Sequence, residues 1–162
     1  MTRYLLALLA LLACNALADT FDARVVGIAD GDTITVLDAQ KTQHKVRLAG
    51  IDAPEKGQSY GNASRKSLAA LVHRKDVVVE WHKRDRYGRL VGKVLRGRQD
   101  VNLEQVRLGF AWHYKRYEME QTAEDRRRYT KAENNARMRR VGLWQDSEPM
   151  PPWEWRTGIR LR

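Results

Sequence analysis

Five short segments stand out between residues 24 and 95: Arg24–Ile28, Thr33–Leu37, His44–Leu48, Val77–Trp81 and Leu90–Leu95. Each is rich in β-branched residues or alternates apolar with polar ones, and this predicts strands. Turn chemistry interrupts them: Asp30-Gly31 separates the first two, and Asp85-Arg86-Tyr87-Gly88 the last two. Asp-Gly favours a tight reversal because glycine accepts positive φ at no steric cost. Strands this short bury a core only by sharing one sheet, and the spacing fits a small closed barrel.

The period changes between the third and fourth segments. Over residues 62–73, Leu68, Leu71 and Val72 fall on one helical face, with Ala63 and Ala69 beside them. A second, shorter helix is predicted over Val101–Leu108, stopped by Gly109. Glu118 to Arg140 predicts one long polar helix. Its acids (Glu118, Glu120, Glu124, Asp125) stand at the start and Arg137, Arg139 and Arg140 at the end, an order that complements the helix dipole. Met119, Ala123, Tyr129, Ala132 and Ala136 form its expected buried stripe. Gly142 ends it, and Leu143 and Trp144 are expected to fold back onto the core. The fold class that follows is α+β, a five-stranded OB-fold barrel with about three helices.

The chain opens with one basic residue, Arg3, and an apolar run that ends in Ala16-Leu17-Ala18. This small-x-small pattern reads as a secretory signal peptide over 1–18, with the mature chain starting at Asp19. The run is well short of the ~20 apolar residues that a membrane-spanning helix needs. Leu11-Leu12-Ala13-Cys14 loosely matches a lipoprotein box, although bulky Leu12 weakens it. The expected product is secreted or periplasmic, with no stable membrane association unless Cys14 is lipidated. Cys14 is the only cysteine, so cleavage after Ala18 leaves no disulfide to support the fold. Residues 19–145 are expected to form one domain, acting as a monomer. Residues 146–162 form a Pro/Trp-rich tail (Pro149, Pro151, Pro152, Trp153, Trp155), expected to lie on that domain as a surface strap.

Without Arg3, 29 Lys+Arg face 20 Asp+Glu, a net charge of +9. Such an excess on a small domain attracts polyanions, nucleic acid foremost among them. The four histidines show no paired metal-ligand spacing, and there is no Cys/His zinc pattern, phosphate-binding glycine loop or Gly-x-Ser-x-Gly elbow. Arg126-Arg127-Arg128 reads as a solvated helix face.

Three stretches carry a coherent chemistry: Asp30-Gly31-Asp32-Thr33, the run from Arg47 to Glu55, and Asp85-Arg86-Tyr87-Gly88-Arg89. Each has an ordinary reading as a turn or a strand end. Together they hold what phosphodiester hydrolysis requires. The transition state gathers charge on phosphate oxygens, which a hard cation and fixed guanidinium donors stabilise. Ca²⁺ takes oxygen ligands, and Asp32 and Asp52 can supply two. Glu55, three residues beyond Asp52, is close enough to act on a water. Arg47 and Arg89 can each fork onto a phosphate.

From about Val25 to Trp144 these stretches, in this order and on this architecture, resemble the staphylococcal nuclease-like (thermonuclease) family. The resemblance implies that Asp32, Asp52 and the Ala53 carbonyl ligate Ca²⁺. It implies that Glu55 activates or orients water and that Arg47 and Arg89 bind phosphate and stabilise the transition state. Arg86 and Tyr87 match positions near a terminal phosphate, and Tyr114 or Trp112 matches an aromatic that contacts the base. The implied activity is cleavage of DNA and RNA with little sequence preference, leaving 3′-phosphate ends. The chain departs from the pattern twice: Ala53 stands where many members carry Thr, and the loop Lys56–Tyr60 is shorter than in some. A different class of function, a non-catalytic nucleic-acid-binding OB module, would be expected to lose the carboxylates or arginines that this chain retains. A basic lipoprotein with an adhesive role is a third reading, resting on Cys14 and the net charge alone.

Overall fold

The computed structural model describes residues 19–158. The expected signal segment, Cys14 included, lies outside the described residues. Eight strands are present among them: β1 (Asp19–Ile28), β2 (Thr33–Asp38), β3 (Gln43–Leu48), β4 (Ile51–Asp52), β5 (Asp76–Arg84), β6 (Leu90–Arg96), β7 (Gln99–Asp100) and β8 (Trp112–His113). The helices are α1 (Gly61–Val72), α2 (Val101–Arg107), α3 (Ala123–Met138) and α4 (Pro152–Thr157), with 3-10 turns at Lys115–Glu120 and Gly142–Gln145. No helix among the described residues is long and apolar enough to cross a membrane.

The five long strands run β3-β2-β1-β5-β6, and a parallel pairing of β3 with β6 closes the barrel. The closure register is Val46 with Leu90, Arg47 with Val91 and Leu48 with Gly92. Strand periodicity sorts the side chains. In β3, Val46 and Leu48 are buried while Arg47 between them faces the other way and is half-buried. The interior is filled by Val25, Ile34, Val36, Val46, Leu48, Val79, Leu90 and Val94. Leu68 and Val72 of α1, Val101 and Val106 of α2, and Tyr129 of α3 extend this core. The barrel and three helices of seven or more residues agree with the OB-type fold expected from the sequence.

The long helix expected over 118–140 is broken. Lys115–Glu120 is a 3-10 turn, Gln121 and Thr122 are extended, and α3 starts at Ala123. Two local interactions end one element and begin the next. The Gln121 carboxamide oxygen pairs with Nε2 of buried His113 at 2.8 Å, and the Thr122 hydroxyl accepts from the Asp125 N–H at 3.1 Å as an N-cap. Met119 and Ala123, expected in the buried stripe, are exposed; Tyr129, Ala132 and Ala136 are buried.

Leu143 and Trp144 fold back to form a second cluster with Trp112 and Ala136, against which Val141 and Trp153 pack. The tail is more than an extended strap. Pro152 starts the short helix α4, and Trp153 lies parallel to Tyr114 with ring centroids 5.3 Å apart. Gln58 ties the approach to this helix by donating to the Met150 carbonyl at 2.6 Å.

Candidate active site

Asp32, Arg47, Asp52, Ala53, Glu55 and Arg89 line one cleft of about 830 Å³. Residues from three separated stretches therefore meet on one face of the barrel, and local structure explains each placement.

Asp32 immediately precedes β2, in a turn where its N–H donates to Asp30 Oδ1 at 3.0 Å. The turn is clamped from both sides. The Asp32 carbonyl accepts from the Leu48 N–H at 2.8 Å, and the Gly31 carbonyl accepts from Gln105 Nε2 at 2.9 Å. Gly31 is required here: a Cβ would lie 1.8 Å from Ser64 Oγ and 2.8 Å from the Ala53 Cβ. The Asp32 carboxylate is 5 % exposed. Its Oδ2 accepts from the Ala53 N–H at 2.6 Å and its Oδ1 from the Thr33 hydroxyl at 3.1 Å. Burial pushes the Asp32 pKa up to about 7; Arg47 pulls it down, while Asp30 and Asp52 push it further up.

Asp52 sits in β4, paired in register with Trp112 of β8, and is buried. Arg47 spans the two acids. Its Nη2 is 2.8 Å from Asp52 Oδ1 and 3.2 Å from Asp32 Oδ2. Its Nη1 donates to the carbonyls of Leu48 and Ile51 at 2.8 and 2.9 Å, which fixes the plane of the guanidinium.

Arg89 precedes β6 and is held by Asp85. Asp85 accepts from Arg89 Nε at 2.7 Å, from the Arg89 N–H at 3.0 Å and from the Tyr87 N–H at 2.9 Å. Burial alone would raise the Asp85 pKa, but these hydrogen bonds and the Arg89 charge outweigh it and hold the carboxyl below its ordinary value. Arg89 Nη1 reaches the Thr33 hydroxyl at 3.4 Å, so Thr33 bridges Arg89 to Asp32.

Glu55 lies in the loop after β4. Its N–H donates to the Gln58 side chain at 3.1 Å, and its Oε1 accepts from Arg156 Nη1 at 2.7 Å. Arg156, on α4, also donates from Nη2 to Asp52 Oδ2 at 2.7 Å. Sequence reasoning missed this residue. It lies 104 residues from Asp52, and no local pattern marks it. Gln105, 74 residues from Gly31, was missed for the same reason.

Of the proposed substrate contacts, Arg86, Tyr87 and Tyr114 line the cleft. Trp112 does not. Its ring is 6 % exposed and packs edge-on against Trp144 and Trp153, with the Arg137 guanidinium 5.0 Å from its centroid. Of the two aromatics, Tyr114 is the one that lines the cleft. In place of Trp112, Trp153 joins the cleft from α4.

Among the described residues no group of three or more His, Cys, Asp or Glu side chains forms a metal cluster. The donor chemistry still suits a hard divalent ion. Asp32 and Asp52 are buried carboxylates with the Ala53 backbone beside them, and two guanidinium groups already sit on the pair. A buried pair of carboxylates is the oxygen-donor type that hard divalent cations take.

Comparison with known proteins accords with this geometry. The chain is 42% identical over 156 residues to an uncharacterized endonuclease of Haemophilus influenzae, covering 96% of this chain and 83% of that one. It is 40% identical over 157 residues to an uncharacterized endonuclease of Escherichia coli O157:H7, covering 96% and 98%. It is 41% identical over 145 residues to a micrococcal nuclease of Shigella flexneri, covering 84% and 80%. The family model described as staphylococcal nuclease homologue matches residues 45–146, a span that takes in Arg47, Asp52, Ala53, Glu55 and Arg89 and the whole β3–β6 closure register, and the chain belongs to that family.

Proposed function

We propose that the protein is a Ca²⁺-dependent endonuclease that hydrolyses phosphodiester bonds of DNA and RNA with little sequence specificity, leaving 3′-phosphate ends. The observation that carries this reading is the convergence of Arg47, Arg89, Asp32, Asp52 and Glu55 on one cleft. Each arginine is held by the fold, Arg47 by Asp52 and two backbone carbonyls and Arg89 by Asp85, so both guanidinium groups are fixed in place before substrate arrives. Arg47 and Arg89 grip the phosphate from two sides and stabilise the charge that accumulates on its oxygens in the transition state. Glu55, more exposed than Asp32 and Asp52, takes a proton from the attacking water. Asp32, Asp52 and the Ala53 carbonyl would hold Ca²⁺, which would supply Lewis-acid stabilisation of the phosphate's charge. Arg86 and Tyr87, both exposed on the turn before β6, and Tyr114 contact the flanking nucleotide. The names of the relatives, endonuclease and micrococcal nuclease, support the reaction class. The reading includes export to the periplasm or medium, supported by the apolar leader ending in Ala16-Leu17-Ala18.

The purified protein should degrade single-stranded DNA and RNA when Ca²⁺ is present and stop when a chelator is added. Full activity after chelation overturns the metal assignment. Binding of nucleic acid without cleavage in Ca²⁺ makes the protein a non-catalytic OB module instead. Glu55→Gln should lose cleavage and keep binding; unchanged cleavage removes Glu55 from the mechanism.

A further inference from the structure

Arg156 makes the least expected contacts in the cleft. Its guanidinium forks onto Asp52, with Nη2 2.7 Å from Oδ2 and Nη1 3.3 Å from Oδ1, and Nη1 also lies 2.7 Å from Glu55 Oε1. Asp52 is buried, and its other hydrogen-bond partner is Arg47, on Oδ1. A cation that uses Asp52 as a ligand needs the oxygens that Arg156 holds. Coordination competes with this fork at Oδ2, because the cation and the guanidinium place two positive charges on one oxygen.

One of the two arginines must therefore yield, and the structure distinguishes them. Arg47 is 15 % exposed and also bonded to the Leu48 and Ile51 carbonyls. The Arg156 side chain is 43 % exposed, and its hydrogen bonds among the described residues run to Asp52 and Glu55 alone. It stands in the last turn of α4, next to Gly158, which caps the helix in the left-handed conformation. Trp153, one turn earlier, packs on Tyr114 and Trp112 and anchors the helix without Arg156. A guanidinium does not lose its proton in a protein, so Arg156 cannot leave by titration and must leave by moving.

We infer that Arg156 is a built-in cation surrogate, which sits on the Asp52 carboxylate and must swing off it before a divalent cation binds there. This inference rests on the Ca²⁺ reading above. The surrogate gives buried Asp52 a second counter-charge beside Arg47 and pairs the more exposed Glu55 as well. It also sets the concentration at which the site loads. The apparent cation affinity falls by the fraction of molecules in which Arg156 has already left.

The test is calorimetric titration of Ca²⁺ alone into chelator-stripped protein, with thermal melting to confirm that each variant is folded. Arg156→Gln and Arg156→Ala should bind Ca²⁺ at least about threefold more tightly than wild type, the gain expected when the plugged form makes up two thirds or more of the population. Arg156→Lys keeps the charge but cannot fork, and should fall between them and wild type. If wild type and both charge-removing variants bind Ca²⁺ equally, or the variants bind it more weakly, Arg156 is not a plug and the inference is overturned while the metal site stands. If none of the proteins binds Ca²⁺, the metal reading itself falls.

Discussion

Arg47 Nη2 donates to Asp52 Oδ1 at 2.8 Å, and these two residues, five apart in sequence, join β3 to β4 at the floor of the cleft. The bond is part of a fork whose other arm holds two backbone carbonyls. Arg47→Lys keeps a charge but cannot make all of these contacts at once. It should lower turnover by at least about tenfold, and Arg47→Ala by about 10²-fold or more, as expected when a transition-state donor is lost. Arg47→Ala also leaves two buried carboxylates without their shared partner, a loss on the order of 3–5 kcal/mol for a buried pair. Rates measured well below the melting temperature of each variant separate the two effects. Wild-type turnover in the alanine variant would remove Arg47 from the phosphate clamp.

Asp85 acts through Arg89. It accepts both the side chain and the backbone N–H of Arg89, which orients the guanidinium toward Thr33 and the cleft. Arg89→Ala should cost about 10²-fold or more in turnover. Asp85→Asn should lower kcat less, because the arginine remains but is no longer charge-paired. Steady-state kinetics on an oligonucleotide of single-stranded DNA distinguish the two variants; equal losses would mean that Asp85 has a role of its own.

Gly31 and Ser64 meet where the Asp32 turn rests on α1. Gly31→Ala would place a Cβ 1.8 Å from Ser64 Oγ and 2.7 Å from Ser64 Cβ. The expected cost is about 1–3 kcal/mol from overpacking, together with a displaced Asp32 and reduced activity. Adding Ser64→Ala should restore only part of the stability, because the Ser64 Cβ itself remains too close. Chemical denaturation of the single and double variants measures this directly.

Tyr129 predicts an alkaline limit to stability. Its hydroxyl donates to both carboxylate oxygens of Asp100, at 3.1 and 3.0 Å. Burial first, then the Asp100 charge and this hydrogen bond, raise the phenol pKa well above its usual value. The folded state therefore keeps a proton that the unfolded chain gives up near pH ~10. Stability from this group is full below that pH and is lost as pH rises toward the folded pKa. Tyr129→Phe should flatten that alkaline fall while costing about 1–3 kcal/mol at neutral pH, since buried Asp100 loses one of its hydrogen-bond donors. Melting temperature against pH for both proteins checks it; parallel curves would contradict the assignment.

Features governed by neighbours in sequence were legible before any coordinates. The alternation of Val46, Arg47 and Leu48, the Asp30-Gly31 turn and the helix from Gly61 to Val72 follow from local periodicity and turn chemistry. Even the break before α3 had a local signal, because Thr122 and Asp125 have the spacing of a capping pair. Helical composition on both sides hid it: charged residues suit a solvated helix whether or not the chain is helical at Gln121. The assignment between Trp112 and Tyr114 could not be made from spacing. Both rings are aromatic, and only packing against Trp144 and Arg137 consigns the first to the core.

The sequence by itself determined the five barrel strands, helices α1 and α2 and which residue types the chemistry requires, since these are written in short-range pattern. Tertiary structure alone decided that Asp32, Asp52 and Arg89 share a cleft, and that Arg156 completes it from the far end of the chain. Closure of β3 on β6 and the docking of Trp153 on Tyr114 bring those residues together. Such contacts depend on the summed packing of the whole core, which no window of neighbouring residues contains.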